Sequence, residues 1–212
     1  ENTFVKPAGV SALLSFKGTL DGKNHTLKNA KIGDGTKSHQ AFFYFLNGTV
    51  KNLKFDNITV TGGNANSAAS SAAVLTAGQS TVAFTIENCH ITNSSVISGP
   101  EQGTVGGSYA GGFVGRTNNA SVAIRNCSIS NSTITAANEN AGGIVGLLGA
   151  GIIDDAKSTG NTIKTENKGV AGGVVGFLSG SATIINISSS NNTCIVKNPA
   201  SGGAGGVVGN CN

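Results

Sequence analysis

Methionine and tryptophan are both missing from these 212 residues, prolines number three, and only 11% of the residues are charged, against about a quarter in ordinary globular chains. A chain so poor in charge cannot clothe long surface helices, which need charged, straight-chain residues on their outer side. The 32 glycines argue the same way. No apolar run approaches the roughly 18 residues of a membrane-spanning helix, and glycine does not recur at every third position, so membrane-helix and collagen classes are excluded. The sequence begins at Glu1 without a methionine anywhere. That reads as a mature or excised segment from which any targeting signal is missing.

What is there is repetition. AGGFVG starts at Ala110, AGGIVG at Ala141, and AGGVVG at both Ala171 and Ala204, with spacings of 31, 30 and 33 residues. Degenerate copies are AFFYFLNG from Ala41 and AAVLTAG from Ala72. The intervening segments TVKNLKFDNITV, FTIENCHITNSSV, AIRNCSISNSTIT and ATIINISSSNNTC alternate apolar and polar residues and are rich in Val, Ile and Thr, so they read as strands. Alignment on asparagine gives a column Asn29, Asn52, Asn88, Asn126, Asp155, Asn186, preceded two residues earlier by Leu27, Val50, Ile86, Ile124, Ile153 and Ile184. A second apolar column is Val60, Val96, Ile134, Ile163, Cys194. Like residues pile on like when each repeat is one turn of a solenoid with rungs about 4.8 Å apart. The expected fold is all-β: a right-handed parallel β-helix of about six to seven coils of roughly 30 residues. It forms a single domain over 1–212, either a segment of a longer chain or a filament subunit. The asparagine column is expected to be a ladder of stacked amides at a turn. The glycine motif marks a second corner that needs positive φ or close backbone approach.

The glycine motif followed by a Thr-Val/Ile-x-Asn strand resembles the GLUG-type repeat of secreted and surface β-helix proteins. Phe16 to Ile32, FKGTLDGKNHTLKNAKI, is similar to the first coil of many of them. The resemblance implies an extracellular or cell-surface location and brings no catalytic residues with it.

Chemistry is thinly supplied. The alignment puts Lys28, Lys51, Glu87, Arg125 and Asp154 in one outward column of mixed sign, the cross-strand pairing of a plain sheet. Asp155 replaces an asparagine of the ladder, an arrangement read as a ladder substitution in preference to a calcium site. His25, His39 and His90 share no column and lack ligand spacing, so neither zinc nor any cofactor is expected. Cys89 and Cys127 fall in one column on consecutive coils, within the Cα separation a disulfide accepts, and Cys194 with Cys211 would be the other pair; buried thiols are the alternative. Nine glycosylation sequons occur. Asn24, Asn47, Asn57, Asn93, Asn119, Asn131 and Asn191 are the candidate glycan carriers, whereas Asn126 and Asn186 stay bare if the ladder points inward.

Eight of the 14 basic residues but only three of the ten acids lie in 1–54. No aromatic interleaving accompanies them, so nucleic acid is not the expected partner. A second copy bound end to end, or acidic glycans, fits better, with the stretch Glu1 to Leu14 as a donated strand. The leading reading is a non-enzymatic, extracellular structural or adhesive glycoprotein that self-assembles head to tail. A carbohydrate-active β-helix domain is the alternative, weakened by 5% aromatics. An ice-binding face is the third, suggested by Thr59, Ser95, Thr133, Thr162 and Thr193 but interrupted next door by Lys164.

Overall fold

The computed structural model describes residues 2–4, 15–63, 70–78, 82–99, 107–118, 121–198 and 202–212. Strands of successive coils pair in parallel and in register, giving a parallel β-helix with four faces. The long face stacks Thr19–Asp21, Thr49–Asp56, Phe84–Thr92, Ser121–Ser130, Ala150–Thr159 and Ala182–Ile185 as successive rungs. A second face carries Ala30–Ile32, Thr59–Thr61, Ser95–Ser98, Thr133–Ala136, Thr162–Thr165 and Thr193–Val196. The third, from Ser70–Ala73 to Ala204–Gly205, and the fourth, from Val114–Arg116 to Val208–Cys211, meet at the glycine motif.

Each long strand is bent by one left-handed residue: Asn52, Asn88, Asn126, Asp155 and Asn186 have φ between 48° and 55°. Asparagine and aspartate tolerate this conformation better than most residues. The bend resets the alternation of the strand. Lys51 and Asn52 both face outward, and Val50 and Leu53 both face inward. The inner columns are therefore Val50, Ile86, Ile124, Ile153 and Leu53, Cys89, Cys127, Ala156, all buried. Each aliphatic side chain so buried contributes about 1.5–3 kcal/mol. A second left-handed residue, Asn29, Asn57, Asn93, Asn131, Gly160 or Asn191, turns the chain onto the second face, where Ile32, Val60, Val96, Ile134 and Ile163 form the next buried column.

The first coil departs from the expected alignment. Leu20 pairs with Val50 and Asp21 with Lys51, whereas Leu27 pairs with Phe55 and Lys28 with Asp56. Asn29 thus belongs to the turn with Asn57, not to the mid-strand column with Asn52. The cause is an insertion: four residues separate Asp21 from Thr26 where two separate Lys51 from Lys54, and Lys23 and Asn24 take up the extra length at positive φ.

At the glycine corner close approach decides, not positive φ. A Cβ on Gly143 would run into the carbonyl oxygen of Gly173 in the next coil and lie 2.6 Å from Ser158 Oγ. The N-terminal degenerate copy replaces this corner with aromatics, Phe16 stacking on Phe43 at 4.8 Å and Phe42 edge-on to Phe55 at 6.2 Å.

Candidate functional site

The outer side of the long face gathers most of the side chains singled out by sequence. Asn52 Nδ2 donates to Asp21 Oδ1 (3.0 Å), Asn88 Nδ2 to Asn52 Oδ1 (2.7 Å) and Asn126 Nδ2 to Asn88 Oδ1 (3.3 Å). The ladder is real in its stacking, but it points outward, because the left-handed bend throws its residues to the solvent side; Asn126, Asp155 and Asn186 are exposed. It is interrupted at Asp155. Asn186 instead donates to Asp154 Oδ1 at 2.9 Å. The Asn52 amide and the backbone N–H of Lys23 hold the Asp21 carboxyl down at about 2.

A neighbouring ladder runs along the second turn, where Asn57 Nδ2 donates to Asn29 Oδ1 and Asn93 Nδ2 to Asp56 Oδ1, both at 2.9 Å. Asn57, Asn93, Asn131 and Asn191 are exposed, as are Asn24, Asn126 and Asn186, while Asn47 is half-buried with its amide on Ser15. Asn119 lies outside the described residues. Burial therefore gives no reason for Asn126 and Asn186 to differ from the rest as glycan carriers. The sequons have a structural origin: a left-handed Asn, then an inward residue (Ile58, Ser94, Ser132, Asn192), then an outward hydroxyl opening the second face (Thr59, Ser95, Thr133, Thr193).

In register on the long face, Glu87 lies between Lys51 and Arg125, and Asp154 beside Arg125. Asp21, not Lys28, heads this column, and its carboxylate is 3.9 Å from Lys51 Nζ. Lys28 pairs with Asp56 at 3.6 Å. The threonine rank of the second face is in register from Thr59 to Thr193, but Lys164 beside it is drawn to Glu166 at 2.8 Å, and Thr135 is buried. His39 sits edge-on to Tyr44 with its Nδ1 buried, and burial followed by the charge of Arg116 lowers its pKa. Among the described residues no three His, Cys, Asp or Glu side chains converge as a metal site.

All four cysteines are thiols in the structure, against the expected bridges. Cys89 and Cys127 do occupy adjacent rungs, but in-register parallel strands keep their Cβ atoms near 4.8 Å apart, and a disulfide draws them to about 3.5–4.5 Å. The two thiols stack instead, their hydrogens directed to Glu87 O at 3.4 Å and Arg125 O at 3.2 Å. Burial pushes the Cys127 thiol well up. Cys194 is half-buried on the second face and Cys211 exposed on the fourth. Alkylation of native protein is expected to label Cys211 first and Cys194 more slowly, with Cys89 and Cys127 reacting only in denaturant and without any need for reductant. A requirement for reductant would restore the bridge.

Sequence reasoning missed a third ladder, which lies inside. The residue after the second turn points inward in every coil, and Ser94, Ser132 and Asn161 are buried there. Ser94 Oγ accepts from the Ile58 N–H (3.1 Å), Ser132 Oγ from the Ser94 N–H (3.0 Å), Asn161 Oδ1 from the Ser132 N–H (2.9 Å) and Asn192 Oδ1 from the Asn161 N–H (2.9 Å). The readable signal was the offset from the turn asparagine.

With this geometry in place, the comparisons agree on architecture. Residues 137–164, a full circuit from the third face to the second, match the family described as the GLUG motif. No curated protein matches the chain. Among solved structures the chain resembles a Bacteroides ovatus protein provisionally named an immunoglobulin A1 protease, with a TM-score of 0.57 and 24% identity over 89% of this chain and 55% of that one. The chain thus spans about half the length of that protein. The likeness is one of fold.

Proposed function

We propose that this chain is a non-enzymatic β-solenoid module of an extracellular or cell-surface protein, a stiff spacer whose outer faces make adhesive contacts. The observation that supports it most is the way outward groups are used up between rungs. Asp21 is taken by Lys51 and Asn52, and Asp56 by Lys28, Thr92 and Asn93. An acid or base for catalysis needs a perturbed pKa within reach of a bound substrate, and rung-to-rung pairing works against that. A GLUG motif and a fold shared with part of a longer bacterial protein fit a module that works inside a larger assembly.

The competing reading is an enzyme acting on a polysaccharide or, from the neighbour's name, on immunoglobulin A1. Prolonged incubation of the purified chain with immunoglobulin A1 and with a panel of acidic and neutral polysaccharides separates the two. The module leaves every substrate at its original length; a shortened product overturns the proposal.

End-to-end association is a second reading, favoured by Val207, which is exposed on the last described rung while its equivalents Ile144 and Val174 are buried within the stack. The donated-strand version of it is weakened at one end, because Asn2–Phe4 pairs with Ala30–Ile32 of its own chain; Val10 to Leu14 lie outside the described residues. Sedimentation at rising concentration distinguishes a monomer from a growing stack.

A further inference from the structure

Past the mid-strand bend, one outward column of the long face runs Thr26, Lys54, His90, Ser128, Lys157, Ser188 in unbroken register. Beside it runs Lys28, Asp56, Thr92, Ser130, Thr159, Ser190. A shallow groove lies between them, lined by Thr26, Lys28, Lys54, Asp56, His90 and Thr92, floored by Phe55, whose side chain is buried in the core, and reaching the turn amides of Asn93 and Asn131.

The charges in this groove do not cancel. Asp56 is its one carboxylate, and it is already held by Lys28 (3.6 Å), Thr92 Oγ1 (2.9 Å) and Asn93 Nδ2 (2.9 Å). Lys54 and Lys157 are exposed, and among the described residues neither has a carboxylate within ion-pair distance. They stand three rungs apart, about 14 Å at the usual strand spacing. Between them His90 is fixed in place, Nδ1 at 2.8 Å from Ser128 Oγ and Nε2 at 3.3 Å from Asn88 Oδ1. The amide oxygen can only accept, so Nε2 carries a hydrogen; burial, then the charges of Lys54 and Lys157, lower the pKa of the ring and favour its neutral form. The column is therefore two uncompensated cations at the ends of a row of hydroxyl and imidazole groups, next to a row of hydroxyls.

We propose that the column from Lys54 through His90 and Ser128 to Lys157 is a binding strip for an acidic polysaccharide, its carboxylate or sulfate groups on the two lysines and its hydroxyls on Ser128, Thr92 and Ser130. The strip rests on the reading of the chain as an adhesive module and names the class of its partner. Its lining favours a hydroxyl-rich polyanion over nucleic acid. Single strands are gripped by stacking on aromatic or guanidinium planes, and these two columns hold no Phe, Tyr, Trp or Arg; their one ring, His90, is a single imidazole tied at both nitrogens to Ser128 and Asn88.

The test uses the intact chain with four immobilised polymers: polygalacturonate for carboxylate, dextran sulfate for sulfate, unmodified dextran, and poly(dT). Binding to at least one of the first two, lost as salt is raised, with none to dextran, is expected, and which of them binds assigns the anion. Lys54→Gln/Lys157→Gln should weaken it about tenfold or more, equivalent to about 1.4 kcal/mol. Lys17→Gln/Lys37→Gln, the same change of charge at exposed sites off the strip, should leave it nearly unchanged. All these substitutions are on exposed lysines, and an unchanged thermal midpoint verifies that the variants are folded. No binding to either acidic polymer, equal losses in the two double variants, or stronger binding to poly(dT) would each overturn the strip and leave the module standing. A polysaccharide that binds and is then shortened would overturn the module and leave the strip.

Discussion

Replacing Asn161 by alanine is expected to destabilise the chain by about 3–5 kcal/mol, the loss of a buried hydrogen-bonding hub plus a cavity. Asn161 is 1% exposed. Its Oδ1 takes the Ser132 N–H, and its Nδ2 reaches Ile129 O (3.2 Å), Ser158 Oγ (3.1 Å) and Asn192 Oδ1 (3.1 Å). Truncation leaves the Ser132 N–H orphaned in the core, where an unsatisfied donor alone costs about 1–3 kcal/mol. The sequence also contains the remedy. In the two coils before, an inward Ile (Ile91, Ile129) is followed three residues later by an inward Ser (Ser94, Ser132); in the next two, Ser158 and Ser189 are followed by Asn161 and Asn192. Volume lost at one position is regained at the other. Ser158→Ile alone should therefore overpack against the Asn161 side chain, whereas Ser158→Ile with Asn161→Ser rebuilds the arrangement of the preceding coil. Urea denaturation of the two single variants and the double is expected to give a favourable coupling of about 1–3 kcal/mol. Additive losses would mean that the two columns do not share space.

This exchange also explains what could and could not be read beforehand. The apolar columns of coils two to five were legible because each inner position admits only a residue that stacks on its equivalents, so Val50, Ile86, Ile124 and Ile153 align by eye. The first coil was not, since asparagine serves at both left-handed positions in most coils, as at Asn52 and Asn57 or Asn88 and Asn93. Aligning Asn29 with Asn52 satisfies residue identity, and only the two extra residues near Lys23 and Asn24 betray the slip. Sequence reasoning left the direction of the ladder open, keeping Asn126 and Asn186 free of glycans only if it pointed inward. A left-handed residue in mid-strand decides the direction, because it sets two successive side chains outward. The buried polar ladder went unseen for the complementary reason: Ser94, Ser132, Asn161 and Asn192 follow a turn residue in a Ser- and Asn-rich stretch, and such stretches read as solvent-facing loop.

The outer face was legible in type and not in pairing. Charge alternation along Lys51, Glu87, Arg125 and Asp154 followed directly from the coil alignment, and the register bears it out. Lys28 was assigned to that column on the slipped alignment, which concealed both its bond to Asp56 and the position of Asp21 at the column's head. The column containing Lys54, His90 and Lys157 lies on the other side of the bend. Its two lysines lie more than 100 residues apart in sequence, and they fall into one column only once the two-residue reset at Asn52, Asn88 and Asp155 is known. Cysteine shows the same limit at atomic scale, for equal Cα spacing was correctly inferred for Cys89 and Cys127 while the parallel direction of their Cβ bonds was not considered.

Gly143→Ala is expected to be among the most damaging single-methyl additions in the molecule, costing about 3 kcal/mol or more, whereas the same change at Gly206 should be within about 0.5 kcal/mol of neutral. Both occupy the third position of an AGG[IV]VG copy, so sequence treats them alike. Their surroundings differ. A Cβ on Gly143 meets the backbone carbonyl of Gly173 and lies 2.6 Å from Ser158 Oγ, and Gly112 and Gly173 meet the carbonyls of Gly143 and Gly206 in the same way, each coil pressing on the one after it. Backbone in the middle of a stack cannot step aside without breaking the Gly143 N–H to Gly172 O bond of 3.1 Å and the register of the third and fourth faces with it. At Gly206 a Cβ finds nothing within 4 Å. None of the three AGG glycines in the middle of the stack has positive φ, so the penalty comes from contact between rungs and not from backbone strain, and it should scale with the size of the added group. Thermal denaturation of Gly143→Ala, Gly143→Ser and Gly206→Ala checks this: equal midpoints for the Gly143 and Gly206 alanine variants would mean that the corner is held by turn conformation alone.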